Sequence, residues 1–386
     1  MQPPSEPTRL IHVGQDAGSR TVGPAIERGS TVLMPNAATL YDHDRVTYGR
    51  GGLKVQEALA GALCELEGAT CARLFPSGLA AVTGAMLAVL EAGDEILVTD
   101  AIYGPTRRFC EEVLKRFGVA VRYYAPLSSP EDLVAAASPA TRLIVLEAPG
   151  SLTFELPDAP AIAHLARARG LLTLMDNTWA AGLHFKPLAH GIDLSVQALT
   201  KYVGGHSDVF MGSVAVRDPG LAATLDRAVL NFGWSVSPDD AYQMLRGLRT
   251  LSTRMTRHAQ SALTVAEWLR DQVAVVEVVY PALPGARDHD LWRRDYTGAA
   301  GLFSFVFEPC STAQVHAFLD ALGIFGLGFS WGGFESLAID CDPQFDVRVS
   351  RPTFAGPMVR LSIGLEDPGD LIDDLANGMR AFVAAA

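Results

Sequence analysis

Short apolar runs and helical periodicity alternate along the chain between about residues 55 and 220. The apolar runs of strand length cover 95–99, 120–124, 142–147, 171–176 and 194–199. Apolar positions that recur every three or four residues, as in helices, cover 55–67, 80–90, 106–117, 130–137 and 159–169. Nearly continuous apolar strands that alternate with helices predict an α/β fold, in which a largely parallel sheet is covered on both faces.

The pattern changes after about residue 220. A long helical stretch, kinked or broken, covers 239–269, and further helical patterns cover 312–322 and 368–383. Strand patterns at 301–307 and 358–364, with a stretch at 326–331, indicate a smaller α+β domain.

The first 55 residues are rich in Pro, Gly, Asn and Asp and have few periodic segments. Such a segment cannot form a core of its own, so we expect an arm that packs on the chain or on another subunit. The division that we expect is an arm at 1–55, a large domain at 56–245 and a C-terminal domain at 246–386.

Composition narrows the class of protein. Of the 386 residues, 49% are hydrophobic and 19% charged, and the net charge of −12 argues against a nucleic-acid partner. Five cysteines without a Cys-x-x-Cys pair fit a reducing compartment and no metal cluster. Without a signal pattern or an apolar run of membrane-spanning length, we expect a cytoplasmic protein that has no membrane partner.

Two of the predicted strands lead into an ionisable side chain. Asp176 ends one of them, and Lys201 follows another. Desolvation lowers the pKa of a lysine amine and lets it attack an aldehyde, so one interpretation of Lys201 is a Schiff base. The pair then fits pyridoxal phosphate, with the lysine on the aldehyde and the aspartate on the pyridinium nitrogen. The alternatives are a surface lysine and a strand-terminal cap.

Other side chains fall at the same predicted edge, because ligands bind at the carboxyl ends of parallel strands. Glu147 ends a strand there, and Tyr103 lies in the loop after another. The helix that follows Ser77-Gly78 offers free N–H groups to a phosphate. Arg360 lies between apolar residues and needs an anion, either a substrate carboxylate or a structural acid. Tyr103 is either a ring that stacks on a cofactor or an ordinary loop aromatic.

Longer motifs surround these residues and spread over nearly the whole chain. They are Cys64-Glu-Leu-Glu-Gly, Met175-Asp-Asn-Thr-Trp-Ala-Ala-Gly, Ala198-Leu-Thr-Lys-Tyr-Val-Gly-Gly-His-Ser-Asp, Arg246-Gly-Leu-Arg-Thr-Leu, Pro281-Ala-Leu-Pro-Gly, Phe329-Ser-Trp-Gly-Gly-Phe-Glu-Ser and Arg360-Leu-Ser-Ile-Gly-Leu-Glu-Asp. With these motifs the chain resembles the Cys/Met-metabolism family of pyridoxal-phosphate enzymes, in particular its cystathionine β-lyase branch. The resemblance implies fold type I, with a mostly parallel seven-stranded sheet between helices in the large domain.

The resemblance also implies a role for each matching residue. The cofactor residues are Lys201 as the Schiff-base lysine, Asp176 on the ring nitrogen, Tyr103 on the ring face, Gly78, Leu79 and Thr200 on the phosphate, and Tyr48 and Arg50 on the phosphate of a neighbouring subunit. The substrate residues are Arg360 for the α-carboxylate, the Ser330-Trp331 backbone, and Tyr48. The catalytic residues are Lys201 and Tyr103. Composite sites of this kind imply a homo-oligomer, with a homotetramer expected.

The function implied is β-elimination of L-cystathionine to homocysteine, pyruvate and ammonia, through an aldimine on Lys201 and a quinonoid, in methionine synthesis. Other lyases of the family stay open: cysteine-S-conjugate β-lyase, cysteine desulfhydrase and γ-lyase. Phe329 and Phe334 stand where relatives have tyrosine, and Gly49 where a relative can carry a bulkier residue. We expect the two phenylalanines to affect the selectivity for the substrate and the glycine to affect the mobility of the N-terminal arm.

Enzymes of other classes lack their motifs in this sequence. There is no Gly-x-Gly-x-x-Gly turn for a dinucleotide, no Gly-x-Ser-x-Gly for a serine hydrolase, and no His-Glu-x-x-His for a metal. A non-catalytic relative would usually have lost the lysine at position 201, which is present.

Overall fold

The computed structural model describes residues 4–14, 20–42 and 45–386. Residues 1–3, 15–19 and 43–44 belong to the predicted N-terminal arm and lie outside the described residues. The larger of two sheets consists of β1 (Cys71–Phe75), β2 (Glu95–Thr99), β3 (Ala120–Tyr124), β4 (Thr141–Glu147), β5 (Leu172–Asp176), β6 (Leu194–Gln197) and β7 (Gly212–Val216).

The strand order across this sheet is β1-β7-β6-β5-β4-β2-β3. Strands β2 to β6 pair in parallel, whereas β7 is antiparallel to both β1 and β6. The predicted α/β class and the mostly parallel sheet of seven strands are therefore confirmed for the described residues. The sequence patterns did not predict β1 or β7. In β1 the apolar run is interrupted by Arg73, whose charge pairs with Asp226.

Helices cover both faces of the large sheet and continue around the second sheet. They are α1 (Glu6–His12), α2 (Lys54–Glu67), α3 (Gly78–Val89), α4 (Gly104–Phe109), α5 (Pro130–Ala135), α6 (Ala159–Ala168), α7 (Pro219–Phe232), α8 (Pro238–Arg249), α9 (Leu251–Arg270), α10 (His289–Asp295), α11 (Thr312–Asp320) and α12 (Pro368–Ala384). The chain after α4 continues through a π-helical turn (Cys110–Leu114) and a 3₁₀ turn (Lys115–Phe117), so the predicted helix at 106–117 is not one regular α-helix.

Alternate strand residues enter two separate cores, as the period of a β-strand requires. Leu97 and Met175 face the core that α2, α6, α8 and α9 share with the second sheet, whereas Ile96 and Leu174 face the core under α3 and α7. Burial on both faces is why the central strands are apolar nearly throughout.

The second sheet contains β8 (Val275–Val279), β9 (Leu302–Phe307), β10 (Gly326–Leu327), β11 (Leu337–Asp340) and β12 (Met358–Ser362). Its order is β10-β11-β12-β9-β8, antiparallel except for the short β10-β11 pair. The predicted long helix is broken at Thr250 into α8 and α9. The division of the chain at residues 55 and 245 stays a prediction.

Within the described ranges, the helices include none that combines the length and the apolar character that crossing a membrane requires.

Candidate active site

The carboxyl edge of the large sheet gathers the ionisable residues singled out in the sequence. Glu147 and Asp176 are the last residues of β4 and β5 and are register partners. Lys201 lies in the turn that follows β6, where its backbone N–H donates to the carbonyl of Ala198 (3.0 Å). The parallel pairing of β4, β5 and β6 places these side chains at one edge.

The carboxylate of Asp176 is anchored on one oxygen only. Its Oδ1 accepts hydrogen bonds from the N–H (3.0 Å) and the hydroxyl (2.5 Å) of Thr178. Its Oδ2 accepts none from the residues that the structure describes. Burial raises the pKa of Asp176, and the Thr178 hydrogen bonds and the Lys201 charge act against that rise. A cationic group facing Oδ2 would therefore favour the ionised carboxylate.

Thr178 is a site residue that the sequence reasoning missed. Its hydroxyl donates to Asp176 and accepts from the N–H of Ala198 (2.9 Å), so it joins the end of β5 to the turn that carries Lys201. The available signal was local: a threonine two residues after an aspartate is the pattern of an Asx turn.

The amine of Lys201 lies in a mostly desolvated position. Its Nζ donates to Ser330 Oγ (2.6 Å) and lies 5.3 Å from the centre of the Trp331 ring. Burial, helped by the positive charge of Arg360, lowers the pKa of Lys201 to about 8, while Asp176 opposes the shift. Near that pH about half of the amine is unprotonated and nucleophilic.

The segment Ser330–Gly333 folds over the backbone of Lys201. Gly332 has φ +80°, and a Cβ there would lie 3.0 Å from the Tyr202 nitrogen and 3.3 Å from Lys201 Cα, so the close approach requires glycine. Ser330 itself has φ +87°, a strained value for a residue with a side chain. That conformation presents both its hydroxyl and its carbonyl to the site.

Arg360, in the middle of β12, supplies a second cation. It is 8% exposed, and its Nη2 donates to the Ser330 carbonyl (3.0 Å). Its Nε–H is buried and has no acceptor among the described residues. The described residues give this guanidinium no ion pair, and burial lowers its pKa. A buried guanidinium with an unused N–H is suited to an incoming carboxylate.

Tyr103 directly precedes α4 at the same edge, and the residue is 47% exposed. Its backbone N–H donates to Glu147 Oε2 (2.7 Å). Burial, followed by the nearby charge of Asp176, raises the pKa of Glu147 well above the usual range. The pKa values of both neighbouring carboxyl groups are thus raised by burial, and that of Glu147 is raised further than that of Asp176.

The first turn of α3 is the candidate phosphate site. Ser77 caps the helix by accepting from Ala80 N (3.1 Å), and the N–H groups of Gly78 and Leu79 donate to none of the described residues. Thr200 Oγ1 donates to the Met211 carbonyl (3.2 Å) and accepts from its N–H (3.0 Å). Its role at a phosphate stays a prediction.

Tyr48 and Arg50 lie away from this edge within the chain. They line a surface groove of about 810 Å³, which Trp234 and Leu230 also line, and Arg50 Nη1 donates to the Leu230 carbonyl (3.0 Å). Gly49 between them is sterically required, since a Cβ there would collide with the carbonyl of Gly29. Of the described residues, those around Lys201 make no hydrogen bond or ion pair with Tyr48 or Arg50.

The two phenylalanines that stand where relatives have tyrosine lie on either side of the segment Ser330–Gly333. Phe329 is 78% exposed and Phe334 is 53% exposed. Large apolar rings at such exposure are available to a substrate at the mouth of the site.

This set of groups fits pyridoxal phosphate. The edge offers an amine of lowered pKa for an aldehyde and a carboxylate with a free oxygen for a ring nitrogen. It also offers unpaired N–H groups at a helix start for a phosphate and an unused guanidinium N–H for a substrate carboxylate. The described residues contain no cluster of His, Cys, Asp or Glu suited to a metal ion.

Comparison with known proteins bears on this arrangement. Residues 7–380 match the family described as Cys/Met metabolism PLP-dependent enzyme. The chain is 46% identical over 385 residues to a Rhizobium johnstonii protein that carries cystathionine beta-lyase as a provisional name; the match covers 98% of this chain and 96% of that one. It is 39% identical to the cystathionine beta-lyase MetC of Escherichia coli, over 97% and 98% of the two chains.

A solved structure shares the fold. The crystal structure of cystathionine gamma-lyase from Lactobacillus plantarum, complexed with L-serine, superposes with a TM-score of 0.91 at 29% identity, covering 98% of this chain and 99% of that one.

Proposed function

Because this chain belongs to the Cys/Met metabolism PLP-dependent enzyme family, we propose that it cleaves L-cystathionine by β-elimination to homocysteine, pyruvate and ammonia. The observation that carries the proposal is the pairing, at one sheet edge, of a Lys201 amine of lowered pKa with the half-satisfied carboxylate of Asp176. Homocysteine is one methyl group short of methionine, so the reaction belongs to methionine synthesis.

Pyridoxal phosphate supplies an aldehyde for the substrate amine and a protonated ring that stabilises the negative charge left when the Cα proton departs. Lys201 is the residue that removes this proton, because its pKa of about 8 allows the amine both to accept a proton and to give it back near neutral pH. Ser330 Oγ, which accepts from Nζ, orients the amine.

Asp176 would keep the ring nitrogen of the cofactor protonated. Thr178 occupies Oδ1, so Oδ2 is the oxygen that could face that nitrogen. A positive charge there would favour the ionised carboxylate against the burial that raises its pKa.

Arg360 binds the substrate α-carboxylate through its unused Nε–H, which fixes the amino acid relative to Lys201. Tyr103 would pack on the cofactor ring, and the Gly78 and Leu79 N–H groups would hold the phosphate. Lys201 takes the proton from Cα, the Cβ–S bond breaks with its electron pair on sulfur, and the protonated amine returns a proton to the homocysteine sulfur. Water then converts the three-carbon fragment to pyruvate and ammonia.

We further propose that two or more copies of the chain share each site. Tyr48 and Arg50 lie together in their groove, and the free guanidinium nitrogens of Arg50 are available to a phosphate held by a neighbouring subunit. A homotetramer is the assembly that we propose. We place it in the cytoplasm, since its five cysteines are free, as in a reducing compartment.

The γ-lyase alternative has the same cofactor residues and is distinguished only at the substrate. The relatives named β-lyases are 46% and 39% identical to this chain, whereas the cystathionine gamma-lyase of Bos taurus is 34% identical and the γ-lyase structure 29% identical. This difference favours β-elimination. Cysteine desulfhydrase and cysteine-S-conjugate β-lyase activities break the same Cβ–S bond and are expected as side reactions.

The test is to incubate the purified enzyme, loaded with pyridoxal phosphate, with L-cystathionine and to measure pyruvate and 2-oxobutyrate separately. Pyruvate with an equal amount of homocysteine is the expected result. Predominant 2-oxobutyrate with cysteine would make the enzyme a γ-lyase, and no turnover of L-cystathionine alongside turnover of L-cysteine would make it a desulfhydrase.

A further inference from the structure

Asp100, the residue directly after β2, lies outside the groups assigned above. It is 4% exposed. Its Oδ1 forms an ion pair with Nη2 of Arg107 in α4, and its backbone carbonyl accepts from the same nitrogen (2.9 Å). Arg107 therefore connects the two ends of the loop that contains Tyr103. The backbone N–H of Tyr103 itself donates to Glu147.

The carboxylate of Asp100 also reaches the C-terminal part of the chain. Oδ1 accepts from the N–H of Val349 (3.0 Å), and Oδ2 accepts from the N–H of Ser350 (2.9 Å). The preceding residue, Arg348, donates through Nη2 to the Ser151 carbonyl (2.7 Å) and to the Thr153 hydroxyl (2.8 Å). Residues 348–350, here called the docking segment, are thus fastened to the large sheet.

The docking segment leads, through residues 351–357, into β12 and Arg360. Asp100 therefore contacts two stretches that end in site residues: the loop of Tyr103 on one side and the approach to Arg360 on the other. Both contacts are charge-assisted, which makes them stronger than hydrogen bonds between neutral groups. The Arg107 pair is buried on both sides, whereas the contacts with Val349 and Ser350 are part-buried.

We propose that Asp100 is a positioning residue. By binding Arg107 and the docking segment with one carboxylate, it sets the distance between the ring of Tyr103 and the guanidinium of Arg360. The substrate carboxylate can then reach Arg360 while its Cα lies over the cofactor. This proposal rests on the proposed function, since it assigns Arg360 to an α-carboxylate and Tyr103 to a cofactor ring.

The first test is Asp100→Asn, compared with Asp94→Asn at the opposite end of the same strand. An asparagine oxygen can accept from only one of the two segment N–H groups: in the Oδ1 position it keeps Val349 and Arg107 and turns its NH₂ group toward the Ser350 N–H, and in the Oδ2 position it keeps Ser350 alone. We expect the KM for L-cystathionine to rise about tenfold, because substrate binding loses its geometry, while kcat changes less than about threefold. Asp94→Asn, which affects a surface contact with Arg142, should change neither.

The second readout is trypsin cleavage after Arg348, identified by mass as a fragment that begins at Val349. The Arg348 side chain is 6% exposed and cannot enter the protease until the docking segment detaches. We expect cleavage about tenfold faster in Asp100→Asn. In Arg107→Met, which releases only the Tyr103 side, cleavage should stay at the native rate while KM still rises.

The outcomes separate a positioning role from a merely structural one. Faster cleavage or a lower Tm with an unchanged KM would overturn the proposal, as would an unchanged cleavage rate in Asp100→Asn. Titration of the loaded enzyme with L-alanine, followed by its visible absorption, measures carboxylate binding without Cβ–S cleavage. If the wild type fails to cleave L-cystathionine, the proposed function fails, but a weaker affinity for L-alanine in Asp100→Asn still supports the role of Asp100, and an equal affinity overturns it.

Discussion

Two regions of the large sheet hold a carboxylate away from bulk water, and they differ in how that carboxylate is satisfied. Glu67, at the end of α2, accepts from Ser195 Oγ (3.0 Å) on one oxygen and from Gln197 Nε2 on the other. Asp176 accepts from Thr178 on one oxygen only. Burial raises the pKa of both acids. Around Glu67, here called the closed region, donors of the protein itself bind both carboxylate oxygens. Around Asp176, here called the open region, one carboxylate oxygen stays available to a donor of a ligand. This difference separates a structural acid from a functional one.

Removing the amine should have the largest effect on the open region. In Lys201→Ala no side chain can move the Cα proton, so we expect kcat/KM for L-cystathionine to fall by about 10³-fold or more. The visible absorption of the loaded enzyme, which depends on the bond between this amine and the cofactor, should be lost as well. Retained turnover at wild-type levels would show that another base does the work.

Neutralising Asp176 should have the next largest effect. Asp176→Asn keeps an acceptor for Thr178 but cannot hold a cationic ring nitrogen, so we expect kcat to fall about 10²-fold or more. Asp193→Asn is the matched control, because Asp193 accepts the N–H and the hydroxyl of Thr173 (both 2.8 Å) at the other end of the strands. Similar losses of activity in the two variants would remove the distinction between the regions.

The open region is also the one that we expect a second chain to complete. Arg50→Ala should lower activity about tenfold to 10²-fold through weaker phosphate binding. Mixing this variant with Lys201→Ala and allowing subunits to exchange should restore activity above the level of either variant, since a mixed pair contains one site with both residues intact. No recovery, with exchange verified by mass, would place Arg50 in its own subunit's site or in none.

Changing the closed region should affect stability and hardly affect turnover. The folded-state pKa of Glu67 is raised, so the folded protein keeps this proton at a pH where the unfolded chain has lost it. Stability from this group is therefore complete below about pH 4.5 and declines as the pH rises through the folded-state pKa. Glu67→Gln should remove that slope in urea unfolding, and at pH 5 it should lower stability by about 1 kcal/mol, because an amide presents one acceptor instead of two. A slope equal to that of the wild type would mean that Glu67 has the same pKa in the folded and the unfolded chain.

Local sequence patterns predicted much of the fold. The bounds of β2 and β3 agree with the predicted runs at 95–99 and 120–124, because turn residues flank both strands. Strands β8 and β11 were missed, since Val275–Val279 and Leu337–Asp340 become strands only through their partners in the second sheet. Pairing between distant segments is not encoded in the period of either segment.

The site was predictable where a residue's chemistry conflicts with its surroundings, as for a lysine and an aspartate at the ends of apolar strands. It was not predictable where the partner is far along the chain. The contact of Asp100 with Val349 joins residues 249 positions apart, and neither has an unusual local pattern. The predicted closeness of Arg50 to a phosphate depends on a second subunit, which no property of the single chain reveals.

The break between α8 and α9 has a mechanical consequence. Arg254, one turn into α9, donates through Nη2 to the carbonyls of Gly247 (2.7 Å) and Val203 (3.3 Å), and through Nε to Thr250 Oγ1 (3.1 Å). The Arg254 side chain therefore spans the joint between α8 and α9. It also hydrogen-bonds to the backbone of Val203, two residues after Lys201. Arg254 therefore fixes the position of α9 relative to the turn that contains Lys201, so a change at the joint between the two helices would be felt at the amine.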